Sequence, residues 1–145
     1  MNLTTRSEYA LLAVVYIARK QVSGPVSIEA IRKHYNLSQK YLERLVQTLK
    51  TGHILKSKRG SGGGYILAKS PEAISIAEIV RLMDGPLAST DAVSTHFFSH
   101  TPLEAETEIL QVFRKVRDMV SNYLENTYIN GFLKNKNLES GIRNG

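Results

Sequence analysis

The 145-residue sequence contains no cysteine. That absence removes disulfides, thiolate-held zinc and iron–sulfur sites, and any cysteine-based redox switch. It also makes a cytoplasmic location the expectation. No apolar run approaches the roughly 18 residues of a membrane span, and Met1 to Tyr9 lack the separate basic and apolar zones of a signal peptide. Neither a membrane partner nor export is expected. Catalytic patterning is missing too: Ser, His and Asp occur, but no local motif places them for nucleophilic attack, so an enzyme is not expected. Acidic residues are scarce at the front. Residues 1–69 hold 12 Lys and Arg against 3 Asp and Glu, whereas residues 70–145 hold 7 against 10. A basic front half points to a polyanionic partner, and the acidic back half to a different task.

Within the basic half, residues 58–65 read Lys-Arg-Gly-Ser-Gly-Gly-Gly-Tyr. Glycines here allow positive φ and close approach to a partner, and Lys56, Lys58 and Arg59 supply charge against phosphates. A nucleotide-binding turn is the competing reading, and the spacing opposes it. A P-loop needs Gly-Lys-Ser/Thr at the start of a helix, and the dinucleotide fingerprint needs a glycine where Tyr65 stands.

Periodicity supplies the frame around that loop. Thr5 and Glu8 read as a capping box for a first helix whose inner face carries Tyr9, Leu12, Ala13, Tyr16 and Ile17, ending before Gly24-Pro25. Ser27 caps a short second helix with Ile28, Ile31 and Tyr35 inward. After Asn36-Leu37, Ser38 caps a third helix. Leu42, Leu45, Val46 and Leu49 form its apolar stripe, Gln39, Lys40, Glu43, Arg44, Gln47 and Lys50 its outer face, and Gly52 its end. Two short helices joined by a tight turn make a helix-turn-helix. Strands over roughly 53–58 and 64–68 flank the glycine loop as a hairpin. Ser75 and Glu78 open a fourth helix with Ile76, Ile79, Val80 and Met83 in register, closed by Gly85-Pro86.

Residues 87–101 lack a sustained period and read as a linker or effector loop. Thr101-Pro102-Leu103-Glu104 signals a helix start. A helix from there to about residue 126 would be roughly 38 Å long. Its apolar set, Ile109, Val112, Phe113, Val116, Met119, Val120, Tyr123 and Leu124, mixes three- and four-residue steps. The expected partner for so wide a stripe is a second copy, the alternative being packing within one chain. Residues 127–134 read as a short final helix and 135–145 as a disordered tail. The fold class is therefore mostly α with a small β-hairpin. It divides into a winged helix-turn-helix domain over 1–86, the 87–101 linker, a dimerisation region over 102–134 and the tail.

The sequence resembles the Rrf-two family of bacterial winged-helix repressors. The residues that carry the likeness are Leu3-Thr4-Thr5, Tyr9-Ala10-Leu11, Gly24-Pro25-Val26, Leu37 to Glu43, Arg59 to Tyr65, and Asp84-Gly85-Pro86. The resemblance implies a homodimer joined through the long helix, bound to double-stranded DNA at an inverted-repeat operator. Each subunit would then lay a recognition helix in the major groove and a wing near the minor groove. Position by position it implies a reading surface of Ser38, Gln39, Lys40, Tyr41, Glu43 and Arg44. The wing would be Lys58, Arg59, Gly60, Ser61, Gly62 and Gly63, with phosphate contacts from Thr4, Thr5 and Arg6. Side-chain chemistry agrees: Arg44 and Lys40 suit guanine edges, Gln39 adenine, and Glu43 cytosine. Glu43 has an equal reading as a salt bridge near Arg44 or to Lys50. Tyr41 lies between the two faces.

Cluster-holding members of the family carry three cysteines between the fourth and the long helix, and residues 87–101 have none. No iron–sulfur cluster or other cofactor is expected, and the effector or partner protein that sets the signal is unknown. His96 and His100, four apart, form a weak candidate metal pair beside Phe97-Phe98. The aromatic pair either lines an effector pocket or closes the core. The rival function is a winged-helix module that docks on another protein and has no specific DNA site.

Overall fold

The computed structural model describes residues 3–60, 62–87 and 100–134. Among them, helix α1 spans Thr5–Lys20, α2 Ile28–Tyr35, α3 Gln39–Thr51, α4 Ile76–Asp84 and α5 Thr107–Glu125. Strands β1 (Leu55–Lys58) and β2 (Gly64–Leu67) pair antiparallel, with Leu55 opposite Leu67 and Lys58 opposite Gly64. The expected mostly helical fold with one hairpin is the observed one.

Serine caps set three helices. Ser27, Ser38 and Ser75 have extended backbones, and their hydroxyls accept from the backbone N–H of Ala30, Tyr41 and Glu78. All four stripe residues of α3 are buried in the main core, which also takes Val14 and Ile17 from α1, Ile31 from α2, and Ile54, Ile74 and Ile79. Gly52 ends α3 as expected, but with φ −80°. The left-handed residue is His53, at φ 60°. A Cβ on Gly52 would lie 2.5 Å from the Leu82 side chain, which would have to shift to admit it.

The cap of α1 is Thr4, one residue before the expected Thr5. A contact 80 residues away in sequence decides this. The Thr4 hydroxyl accepts from Ser7 N–H and donates to the Asp84 carboxylate, and Ser7 Oγ donates to the same carboxylate at 2.6 Å. Ser7 is fully buried, so Asp84 satisfies a hydroxyl that water cannot reach. The buried face of α1 accordingly runs through Ser7, Ala10, Ala13, Val14 and Ile17. Tyr9, Leu12 and Tyr16 are half-buried at its flanks.

Partial burial alone would raise the Asp84 carboxyl, but the hydrogen bonds from Ser7 and Thr4 outweigh it and hold it below its usual value. Because the folded value is depressed, the stabilisation is full above the ordinary carboxylate value of 3.8 and is lost as pH falls below it. Asp84→Asn is expected to cost about 1–2 kcal/mol at neutral pH. Urea titrations of both proteins should show that gap closing below pH 3.8. A gap constant down to the acid transition would mean the carboxylate is not what joins α1 to α4.

The Thr101-Pro102 signal starts a 3₁₀ turn, Pro102–Ala105, and α5 begins only at Thr107. Leu103 packs against Leu110, as does Phe113. One continuous helix would leave residues 103 and 110 about 10 Å apart along its axis. At 19 residues, α5 is about 28 Å long rather than 38 Å. After α5 the chain returns to the first domain. Ile76 N–H donates to Thr127 O and Ile129 N–H to Ile74 O, and a 3₁₀ turn, Ile129–Phe132, buries Ile129 completely in the main core. No helix of the described residues is long and apolar enough to cross a membrane.

Candidate nucleic-acid interface

Burying Leu42, Leu45, Val46 and Leu49 on one side of α3 forces Gln39, Lys40, Glu43, Arg44, Gln47 and Lys50 to the surface, where all six are exposed. Tyr41 is half-buried and meets Tyr9 edge-on, with ring centroids 5.5 Å apart, so packing is its main contact. Ser38 is occupied as the cap. Asn36, at φ 56°, turns the chain between α2 and α3. The ion pair of Glu43 with Lys50 or near Arg44, the alternative to a base contact, does not form. Gln39, one turn earlier, donates to the Glu43 carboxylate at 3.3 Å instead.

The consequence lies in the cations. Lys40, Arg44 and Lys50 on α3, with Lys56, Lys58 and Arg59 on the hairpin, have no acidic partner at ion-pair distance among the described residues. Arg32, Lys69 and Arg81, by contrast, pair with Glu29, Glu78 and Glu125. Unpaired, exposed cations on a helix face and a neighbouring loop form an electrostatic footprint for phosphates.

The hairpin is anchored from outside itself. Val26 N–H donates to Tyr65 O at 2.9 Å and Tyr65 N–H to Val26 O at 2.8 Å, while Leu67 N–H donates to the Gln21 side chain. The connection between α1 and α2 thus lines the free edge of β2. Gly60 and Gly62 have φ 124° and 74°, which suits glycine, and both are exposed. Ser61 lies outside the described residues. Gly63 is close to the backbone of Lys58 and Gly60. Gly64 is approached by the protein's own chain: a Cβ there would sit 2.5 Å from Val26 O. That contact had no signal in the local sequence.

At the start of α1, Thr5 and Arg6 are exposed, while the Thr4 hydroxyl is engaged by Asp84 and Ser7. His100 meets the Glu104 carboxylate at 2.9 Å, and its expected partner His96 lies outside the described residues. Among the described residues there is no group of three or more His, Cys, Asp or Glu able to hold a metal.

A helix-turn-helix with an exposed basic second helix, followed by a basic hairpin, is the architecture of a winged-helix DNA-binding protein. The chain belongs to the Rrf2 (Rrf-two) family, whose model, described as "Iron-dependent Transcriptional regulator", matches residues 3–135. It is 32% identical over 127 residues to the HTH-type transcriptional regulator CymR of Bacillus subtilis, covering 88% of this chain and 86% of that one. Its fold is similar to the solved structure of CymR, the global cysteine regulator of B. subtilis. There the TM-score is 0.78 at 29% identity, over 92% of this chain and 96% of the other. It is similar also to T. potens IscR, with a TM-score of 0.73 at 28% identity, over 92% and 86%. The chain is a DNA-binding transcriptional regulator and not an enzyme. The donor set does not fit a thiolate-held iron–sulfur cluster, since none of the 145 residues is cysteine.

Proposed function

We propose that the chain acts in the cytoplasm as a homodimeric, sequence-specific repressor on an inverted-repeat operator, without an iron–sulfur cluster. The observation that carries the DNA reading is the set of unpaired cations shared by α3 and the hairpin. In this reading Gln39, Lys40, Glu43 and Arg44 face base edges, and Lys58, Arg59 and the exposed glycines follow the backbone. Thr5 and Arg6 add phosphate contacts. The dimer reading rests on α5. Ile109, Val112, Val116, Met119 and Tyr123 repeat at alternating three- and four-residue steps, as in a coiled-coil seam, and all five are exposed. Its opposite side is committed within the chain: Leu124 packs against Ala77, Val80 and Leu87, and Arg81 binds Glu125 and Ser121.

The test is a nuclease footprint of the protein on the DNA upstream of its own gene. A protected inverted repeat with half-sites about one helical turn or more apart supports the reading. Protection indifferent to sequence, with affinity unchanged between about 50 and 200 mM salt, would replace it with a protein-docking module.

Two substitutions divide the surface further. Arg44→Ala is expected to cost about 1–3 kcal/mol at the preferred site and to relax preference at one base position. Arg59→Ala should weaken all sequences alike and lower the salt slope by about one. Binding series over single-base operator variants measure both. A uniform loss in Arg44→Ala would make that residue a phosphate contact, and unchanged affinity in Arg59→Ala would remove the wing from the interface.

A further inference from the structure

A cavity of about 330 Å³ opens among α1, the end of α2, the start of α4 and the C-terminal turn, walled by Leu12 and Val15 of α1, Ile76 of α4 and Phe132 of the C-terminal turn. At about 30 Å³ per water-sized group it holds roughly ten non-hydrogen atoms, a size within the lower range of small-molecule sites. Its polar groups are Arg19, His34 and Tyr35, and no carboxylate among the described residues lines it. Arg19 Nε donates to Phe132 O at 2.8 Å, which fixes the guanidinium at the rim. Its terminal nitrogens have no acidic partner among the described residues. Two parallel N–H groups of a held guanidinium match a carboxylate. His34 and Tyr35 stand edge-on to each other, 4.6 Å between centroids, and offer ring surface beside that charge.

We propose that this cavity is a binding site for a small carboxylate with an apolar body, and that such a ligand is an effector of DNA binding. The apolar body fills the space between Val15 and Phe132, and the carboxylate meets Arg19. The effector role rests on the regulator reading above. His34 and Tyr35 are the last residues of α2, and one tight turn at Asn36 joins them to α3. A ligand packed on them bears on the placement of the recognition helix. The same ligand touches Phe132, so it also reads the C-terminal return of the chain.

The test titrates the full-length protein with hexanoate, benzoate and phenylacetate against their neutral amides. Melting temperature and operator affinity are read in parallel. At ten times its Kd, a binding carboxylate should raise Tm by about 3–6 °C and change operator affinity about fivefold or more. Arg19→Gln should abolish both responses. Val15→Phe, which fills the cavity and leaves Arg19 in place, should do the same and guards against a folding defect in the first variant. The proposal is overturned if no carboxylate shifts Tm, if the amides act equally, if both variants respond as the wild type does, or if Tm shifts while operator affinity stays constant. A chain that binds no operator either with or without ligand fails the regulator reading, and the carboxylate-specific shift in Tm still reports on the site.

Discussion

Val116→Glu combined with Met119→Glu should yield a folded monomer that no longer protects its operator. Both side chains are exposed, Met119 to 63%, so the substitutions remove nothing from the chain's own core. In a dimer built on the α5 seam they would sit at successive seam positions. Each buried apolar side chain contributes about 1.5–3 kcal/mol, and two copies of each are lost. Four carboxylates would then face one another without solvent, which adds a desolvation penalty. With the subunits apart, the second half-site no longer benefits from the effective concentration of a linked partner. Operator affinity should fall by about 10²–10⁴-fold. Light scattering gives the mass, circular dichroism the fold, and a gel shift the affinity. A variant that remains dimeric would place the interface elsewhere on the surface. A monomer with full operator affinity would sink the inverted-repeat reading instead.

The sequence made the recognition helix legible because its signals are local and periodic. Four apolar residues at helical spacing name a buried face, and burial of that face determines which six polar residues must point outward. The serine caps at 27, 38 and 75 are local in the same way. Long-range polar pairing was not legible. Nothing near Thr4 or Ser7 announces that a carboxylate at position 84 will bind both hydroxyls, so the first cap was placed one residue late. The return of the chain at 127–129 is an irregular bridge with residues 74–76, and bridges carry no period. The start of α5 was misplaced for a related reason. Proline after a threonine begins a 3₁₀ turn as readily as an α-helix, and only the meeting of Leu103 with Leu110 decides between them. Within the candidate site, Gln39 stands at the i, i+4 spacing that lets helix side chains meet Glu43, whereas Arg44 is the next residue and Lys50 two turns on, so helical spacing favoured the glutamine over the two cations.

Gly64→Ala should destabilise the protein by about 3 kcal/mol, more than Gly62→Ala does, although Gly62 is the glycine with the positive φ. At Gly62 the φ of 74° makes any side chain strained, at about 1–2 kcal/mol, but the space around it is open. At Gly64 the backbone lies in the ordinary region, and the obstacle is a carbonyl: a Cβ would come within 2.5 Å of Val26 O and 2.6 Å of its carbon. A flexible side chain could swing aside; a backbone that exchanges two hydrogen bonds with Tyr65 cannot do so without breaking them. Denaturant titration of the two variants decides the matter, with an expected Tm decrease of about 6–12 °C for Gly64→Ala. If Gly64→Ala lies within about 0.5 kcal/mol of wild type, Val26 is not what seats the hairpin. The seating matters for DNA because Val26 immediately precedes the cap of α2. The strand that leaves the wing and the helix leading to the recognition helix are therefore pinned to the same point of backbone, so their relative positions are set before DNA arrives. A wing loosened at Gly64 should lose operator affinity even at temperatures where the helices remain folded, whereas strain at Gly62 stays in the exposed tip of the loop.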